Sequence, residues 1–356
     1  MLLRKLVLLS LFVFTQACSV FGDSEDGAPS AEETSPEDGE TDPGDSEKEE
    51  DEVTPIYVTI VSHNERSDTS LRTCTGYKKA RASLLKIADI IKAHNATWNW
   101  QTDYLFLDAV SRCETAALKA TTNGKNIVQY LVEDLGVEAN PHAHESDTYN
   151  FADVAYLLST FTGTTSLVVG GFEYQDEEKF ENFKNGQTGN AYPTFEWNPE
   201  VLTLSAVPGH DLETDDHTSG IWNPKGAGDD FHTQDSASVF TAIGSGYASS
   251  GIWTKEDCYF EYATDFIEVL ARDIKSGNAP AGKMYTASIF ISENDILTQN
   301  SYDVLETMLT NLDDYVTSGQ VIYSTYSNVI TTWETTYSST PNIYEFDVEE
   351  EDYTCE

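Results

Sequence analysis

Positive charge is scarce in this chain. Its 356 residues include 20 Lys and Arg against 61 Asp and Glu, a formal net charge of -41. A surface this acidic repels nucleic-acid phosphates and anionic lipid headgroups, so we expect neither as a direct partner. Hydrophobic residues make up 39% of the chain, which is enough for a sizeable core.

Several catalytic motifs are also missing. The glycine-rich stretches "GAGDD" and "GSGYASSG" lack the preceding strand and following helix that a phosphate loop or a dinucleotide site requires. No Gly-x-Ser-x-Gly stretch occurs, which argues against a serine hydrolase. We therefore expect no nucleotide partner and no serine nucleophile.

Cysteine is sparse, with only five residues. Beyond the N-terminal stretch they lack the close pairing typical of zinc sites, so disulfides in an exported protein are the simpler expectation. Four cysteines allow three pairings, and all three remain open: the residues are Cys74, Cys113, Cys258 and Cys355.

The first 18 residues predict a secretory signal. Arg4 and Lys5 precede a short apolar run over 6–14, too short to span a bilayer. The stretch resembles a bacterial lipoprotein signal, which implies that Cys18 becomes the lipidated first residue of the mature protein. We therefore expect export to the outer membrane or cell surface of a bacterium, with membrane contact through the lipid anchor only.

The composition divides the rest of the chain into three parts. Residues 19–53 are rich in Asp, Glu, Gly, Pro and Ser and predict a disordered acidic tether. Residues 54–347 carry the hydrophobic periodicity of a folded domain, and residues 348–356 form an acidic C-terminal tail.

The folded part alternates between strand-like and helix-like patterns. Short apolar runs separated by helices predict a parallel α/β sheet covered on both faces. We expect an irregular seven-stranded parallel (β/α) barrel, with a long inserted loop region over 192–250. The seven strand-like runs are 56–61, 97–102, 137–144, 165–171, 200–207, 283–292 and 320–325.

Titratable side chains follow three of these strands, where barrel active sites lie. In an extended strand alternate side chains share a face, so the two histidines of "PHAHE" are expected to point the same way. Imidazoles with nearby carboxylates are typical of a catalytic divalent-metal site, for which zinc is the first expectation. The predicted ligands are His63, His142 and His144, and the general-base candidates are Glu65, Asp103 and Glu145.

Simpler interpretations remain open for two of these features. The His-x-His pair also fits a hydrogen-bonded structural pair. Asp103, directly before the helical stretch "YLFLDAV", also fits a helix N-cap, which is the more common role for such a residue.

Four segments resemble the glycoside hydrolase/deacetylase barrel superfamily, in particular its polysaccharide deacetylase branch. They are "VTIVSHNE", "WNWQTDYLFL", "PHAHESDTYNFADVAYLL" and "GQVIYSTYSNVITTW". The resemblance implies the metal-histidine role for His142 and His144 and the strand-one role for His63 or Glu65. This chain departs from the family at both places, because the strand-one motif lacks paired Asp and the histidines are two apart instead of four.

The inserted region offers a second set of candidates. Trp197 and Trp222, with His210 and His217, fit a sugar-binding surface if the indoles are exposed. The alternative is a loop that packs its own aromatic side chains and uses its Asp residues for turns.

These observations lead to three hypotheses. The first is a lipid-anchored, metal-dependent polysaccharide deacetylase that hydrolyses acetyl groups of a glycan. The second is a glycoside hydrolase with paired carboxylates drawn from Glu65, Asp103, Glu145 and Glu196. The third is a non-catalytic glycan-binding surface protein with an open Trp-lined groove.

Overall fold

The computed structural model describes residues 53–64, 69–204, 218–245, 259–292 and 299–345. The chain separates into two units, 1–50 and 51–356, and every described residue lies in the second. The predicted signal, the acidic tether up to residue 52, the acidic tail and Cys18 lie outside the described residues. None of the described helices is long and apolar enough to cross a bilayer.

Strands and helices alternate along the described chain. The strands are β1 Ile56–Asn64, β2 Trp98–Thr102, β3 Glu138–Pro141, β4 Val168–Phe172, β5 Gln187–Thr188, β6 Glu196–Trp197, β7 Val201–Leu204, β8 Thr218–Ser219, β9 Ile221–Trp222, β10 Thr241–Ile243, β11 Tyr285–Ser292, β12 Val321–Tyr323 and β13 Tyr344–Glu345. The helices are α1 Cys74–Ala93, α2 Tyr104–Cys113, α3 Ala116–Lys119, α4 Ile127–Gln129, α5 Phe151–Thr162, α6 Glu177–Lys184, α7 Tyr259–Ser276, α8 Gln299–Thr317 and α9 Tyr326–Thr335.

Two sheets carry the fold. The first has the order β11–β1–β2–β3, all parallel, and β12 pairs with the first half of β1. The second has the order β4–β7–β10–β9, in which only β9 is antiparallel to its neighbour. A strand overlaps each of the seven predicted runs, although β3 is shorter than predicted, and the parallel α/β class is confirmed.

The central strand β1 is buried along its whole length. Ile56, Val58 and Ile60 belong to the large core that contains α1, whereas Tyr57 and Val61 belong to a second core on the other face. A strand that is covered on both faces requires apolar side chains on both, because neither face is in contact with water. This double burial explains the continuous apolar run in the sequence.

Side-chain hydrogen bonds join the two sheets at both pairs of edges. Between β3 and β4, the amide of Asn140 donates to the Ser166 hydroxyl at 3.0 Å. On the other side, the β11 residue Thr286 accepts from the backbone of Gly220 at 2.8 Å and donates to the carbonyl of Gly244 at 2.7 Å. Backbone pairing among the described strands leaves the sheets separate, so the seven-stranded barrel stays a prediction.

The interruption between β3 and β4 has a local cause. Pro141 ends β3 and has no N–H to donate to a neighbouring strand. The pairing of β4 with β7 shifts register between Val169 and Phe172, which marks a bulge at Gly170 and Gly171. Both features fall where the two sheets meet.

Cys74 and Cys113 form a disulfide that joins the start of α1 to the end of α2. This assigns one bond of the predicted framework. Cys258 and Cys355 lie outside the described residues.

Candidate functional site

Two imidazole rings stack at the carboxyl ends of β1 and β3. The rings of His63 and His142 are 4.1 Å apart between centroids, with 27° between their planes. Both side chains are almost fully buried, and the ring of Phe290 packs edge-on against His63 at 4.6 Å. The structure therefore brings together two of the three histidines that the sequence analysis proposed as metal ligands.

The bulge in β4 sets the orientation of His142. Its Nδ1 lies 2.7 Å from the carbonyl oxygen of Gly170. Because a carbonyl can only accept, Nδ1 carries a proton, and in this tautomer Nε2 is the acceptor nitrogen. Gly171 has φ +73°, and a Cβ there would lie 3.0 Å from both His142 Nδ1 and His63 Cε1. Glycine is required at this position by backbone conformation and by the closeness of the two rings.

His144 lies at the rim of this site. A strand that carried both histidines would have to reach His144, but β3 ends at Pro141. The expectation that the two histidines share a strand face is therefore wrong. His144 is exposed, and its ring meets that of His142 edge-on with centroids 5.3 Å apart. Glu145 is also exposed, and its carboxylate accepts from the Gln187 amide at 2.6 Å.

Asp103 caps α2. Its carboxylate accepts the backbone N–H of Phe106 at 3.0 Å, and the side chain is buried. The helix-cap interpretation is confirmed, and it accounts for one carboxylate oxygen without any catalytic role. Burial raises the pKa of Tyr149, and the negative charge of Asp103 raises it further.

The expectation of exposed indoles in the inserted region is wrong. Trp197 and Trp222 are fully buried. The indole N–H of Trp197 donates a hydrogen bond of 2.7 Å to the carbonyl of Ser166, and that of Trp222 donates one of 2.7 Å to the carbonyl of Phe231. Large aromatic surfaces without water contact stabilise this part of the chain, so the alternative of a self-packing loop holds. A Trp-lined groove built from these two residues is excluded. His210 and His217 lie outside the described residues.

The fit of a metal ion depends on the number of donors. Within the described ranges, no group of three or more His, Cys, Asp or Glu side chains is arranged to hold a metal. The tautomer of His142 suits a ligand, since metal-binding histidines commonly donate their other ring N–H to a carbonyl. Glu65 lies outside the described residues. The described side chains alone therefore do not make the predicted zinc site.

Sequence reasoning missed the residues that shape this site. Gly170 and Gly171 hold the bulge against the rings, and Phe290 closes one side of His63. A double glycine inside an apolar strand run is itself a signal for a bulge or a close approach, so "VVGGF" contained the information. No comparable signal pointed to Phe290, which comes from β11 far along the chain.

Comparisons with known proteins bear on the fold. No protein-family model matches this chain, and no curated protein sequence matches it. Puue allantoinase is similar in structure, with a TM-score of 0.52, 13% identity, and coverage of 80% of this chain and 92% of that chain. The 4-alpha-glucanotransferase from Thermococcus litoralis gives a TM-score of 0.40 at 12% identity, over 82% of this chain and 40% of that chain. The first similarity shows a shared fold, and the second is too low to indicate one.

Proposed function

We propose that this protein is a hydrolase of acyl bonds, with its reaction centre at the His63–His142 pair and an acetylated glycan as the substrate class. The observation that supports this is the buried, stacked pair at the carboxyl ends of parallel strands. Active sites of parallel α/β folds lie at these strand ends. A solved structure that shares the fold carries the name of an enzyme, allantoinase.

His142 suits the proton transfer that such a hydrolysis needs. Water attacks the carbonyl carbon while a base takes its proton, and the bond to the leaving oxygen or nitrogen breaks as that atom gains a proton. With Nδ1 donating to Gly170, the Nε2 of His142 is on the accepting side of the ring. The same nitrogen, once protonated, is the donor to the leaving group. His63, stacked on this ring, limits the rotation of His142.

The wider assignment follows the same proposal. The side-chain bonds that join the two sheets at both pairs of edges support a barrel-like enclosure with this site at its mouth. Lipidation at Cys18 and a position at the bacterial surface are part of the proposal and come from the sequence alone. A divalent cation at this mouth is a matter for direct metal analysis, because the described donors do not complete a site.

The test is acetate release from N-acetylated and O-acetylated oligosaccharides by the full-length protein, with and without added zinc. We expect His142→Gln and His63→Gln to abolish release. His94→Gln is the matched control, since His94 lies at the end of α1 and contacts Glu306 and Asp313 on α8. Metal content of wild type and His142→Gln is measured on the same samples.

Each outcome decides something. Release that survives in His142→Gln would show that the pair is not the reaction centre. A protein that releases acetate from no substrate in the panel, with or without metal, would refute the proposed function. Metal bound in wild type and lost in His142→Gln would place a cation at this pair.

A further inference from the structure

One hydroxyl group bridges the bulge that orients His142. Thr203, on β7, is buried, and its Oγ1 donates to the carbonyl of Val169 at 2.8 Å. The same oxygen accepts from the backbone N–H of Gly171 at 3.4 Å. These two backbone groups flank Gly170, whose own carbonyl accepts from His142. The hydroxyl therefore replaces the ladder bonds that β4 loses at its bulge.

A buried polar network holds this hydroxyl in place. The Gln101 amide donates to Thr203 Oγ1 at 3.2 Å. Burial raises the pKa of the neighbouring Tyr326, and the Thr203, Thr59 and Ser288 side chains partly offset this rise. Networks of this kind keep one geometry because a buried polar group that loses its partner is costly. Thr203 is the member of the network that reaches the backbone of β4.

Two glycines, Gly170 and Gly171, form the backbone that binds His142. Glycine accepts a wide range of φ and ψ, so the 170–171 peptide has no side chain to fix its direction. A Cβ at Gly170 would lie 2.8 Å from the carbonyl of Pro141, so no larger residue is tolerated there. External hydrogen bonds must therefore set where the Gly170 carbonyl points.

We infer that Thr203 is a positioning residue for His142: its hydroxyl fixes the Gly170 carbonyl, which in turn fixes His142 as the Nδ1–H tautomer. The effect on the tautomer does not require any activity. The effect on catalysis rests on the proposed function, in which Nε2 of His142 is the proton acceptor. Loss of the hydroxyl allows the peptide to turn and the ring to exchange its proton between the two nitrogens.

The tautomer is measured by ¹⁵N NMR of the histidine rings in the full-length protein, in which seven histidines have to be assigned. Wild type is measured first, and we expect Nδ1 of His142 to be protonated at pH 8. Thr203→Val removes the hydroxyl at constant shape, and we expect it to give a mixture of tautomers. Thr203→Ser keeps the hydroxyl, and we expect the wild-type tautomer to be restored.

The matched control is Thr286→Val. Thr286 is also a buried strand threonine, and its hydroxyl bonds the backbone of Gly220 and Gly244, which lie outside β4. It is expected to lower stability as Thr203→Val does and to leave the His142 tautomer unchanged. A wild-type His142 protonated on Nε2 would overturn the inference without any variant. An unchanged tautomer in Thr203→Val, or an equal change in Thr286→Val, would also overturn it.

Activity gives a second readout if acetate release is found. Partners that orient a metal-binding histidine are commonly worth about 10–100-fold in metal affinity or activity, and we take this range as the guide for His142. We expect Thr203→Val to lower kcat by about that factor with little change in KM, and Thr203→Ser to recover most of it. If wild type releases no acetate, the proposed function fails while the NMR experiment still decides the role of Thr203.

Discussion

The ion pair between Arg81 and Glu114 gives the sharpest stability prediction. Their side chains are 5% and 4% exposed, and Arg81 Nε lies 2.9 Å from Glu114 Oε1. The same carboxylate oxygen accepts from the Tyr77 hydroxyl at 2.6 Å and from the backbone N–H of Ile127 at 3.1 Å. One buried oxygen thus ties α1 to the end of α2 and the start of α4.

Glu114→Gln removes the charge and keeps the shape. Breaking a buried pair from one side leaves the other charge uncompensated, at a cost of about 3–5 kcal/mol. We expect about 3 kcal/mol for Gln, which retains an accepting oxygen, and up to about 5 kcal/mol for Glu114→Ala. At about 2 °C per kcal/mol for a domain of this size, Tm falls by roughly 6–10 °C. Urea unfolding followed by circular dichroism measures the free energy directly.

Two controls test the reasoning. Glu181→Ala breaks an exposed pair with Lys184, whose atoms are 3.0 Å apart, and is expected to cost under about 1 kcal/mol. The double variant Arg81→Met/Glu114→Leu is expected to be more stable than Glu114→Ala, because no buried charge remains. A cost for Glu114→Gln as small as that of Glu181→Ala would refute the argument.

Three further predictions concern the disulfide, the bulge in β4 and the buried Tyr326. Replacing Cys74 and Cys113 by Ser is expected to lower the free energy of unfolding by about 4 kcal/mol, because the disulfide closes a loop with a sequence separation of 39 and so restricts the unfolded chain. Gly171→Ala is expected to cost more than Gly277→Ala, since both have positive φ but only Gly171 meets the stacked rings. Burial raises the pKa of Tyr326, so stability is complete below the unfolded-state pKa of about 10 and falls as pH rises above it.

Each of these has a simple check. Urea unfolding of the double Ser variant, beside wild type kept oxidised, measures the disulfide, and equal midpoints would contradict the prediction. Equal unfolding free energies for the two Ala variants would show that the rings adapt to a Cβ. Thermal midpoints between pH 8 and pH 11.5, in wild type and Tyr326→Phe, test the alkaline effect. A wild-type midpoint that stays constant above pH 10 would contradict it.

Much of the fold could be predicted because it rests on local pattern. Continuous apolar runs such as β1 indicate strands buried on both faces, and Asp103 before an amphipathic run indicates a helix cap. The position of His144 could not be predicted, because where β3 ends depends on its pairing with β2 and not on the sequence of "PHAHE" alone. The burial of Trp197 and Trp222 depended likewise on which distant rings and carbonyls surround them.

The sequence by itself determined the acidic character, the parallel α/β class and the histidines that meet at the strand ends. These follow from composition, from periodicity and from the rule that parallel strands bring their carboxyl ends to one edge. Only the tertiary structure decided that His63 and His142 stack, that the double glycine of β4 packs against both rings, and that Thr203 reaches the bulge from β7. Those contacts join residues up to about 110 positions apart, and their distances depend on sheet pairing and packing, which no local pattern specifies.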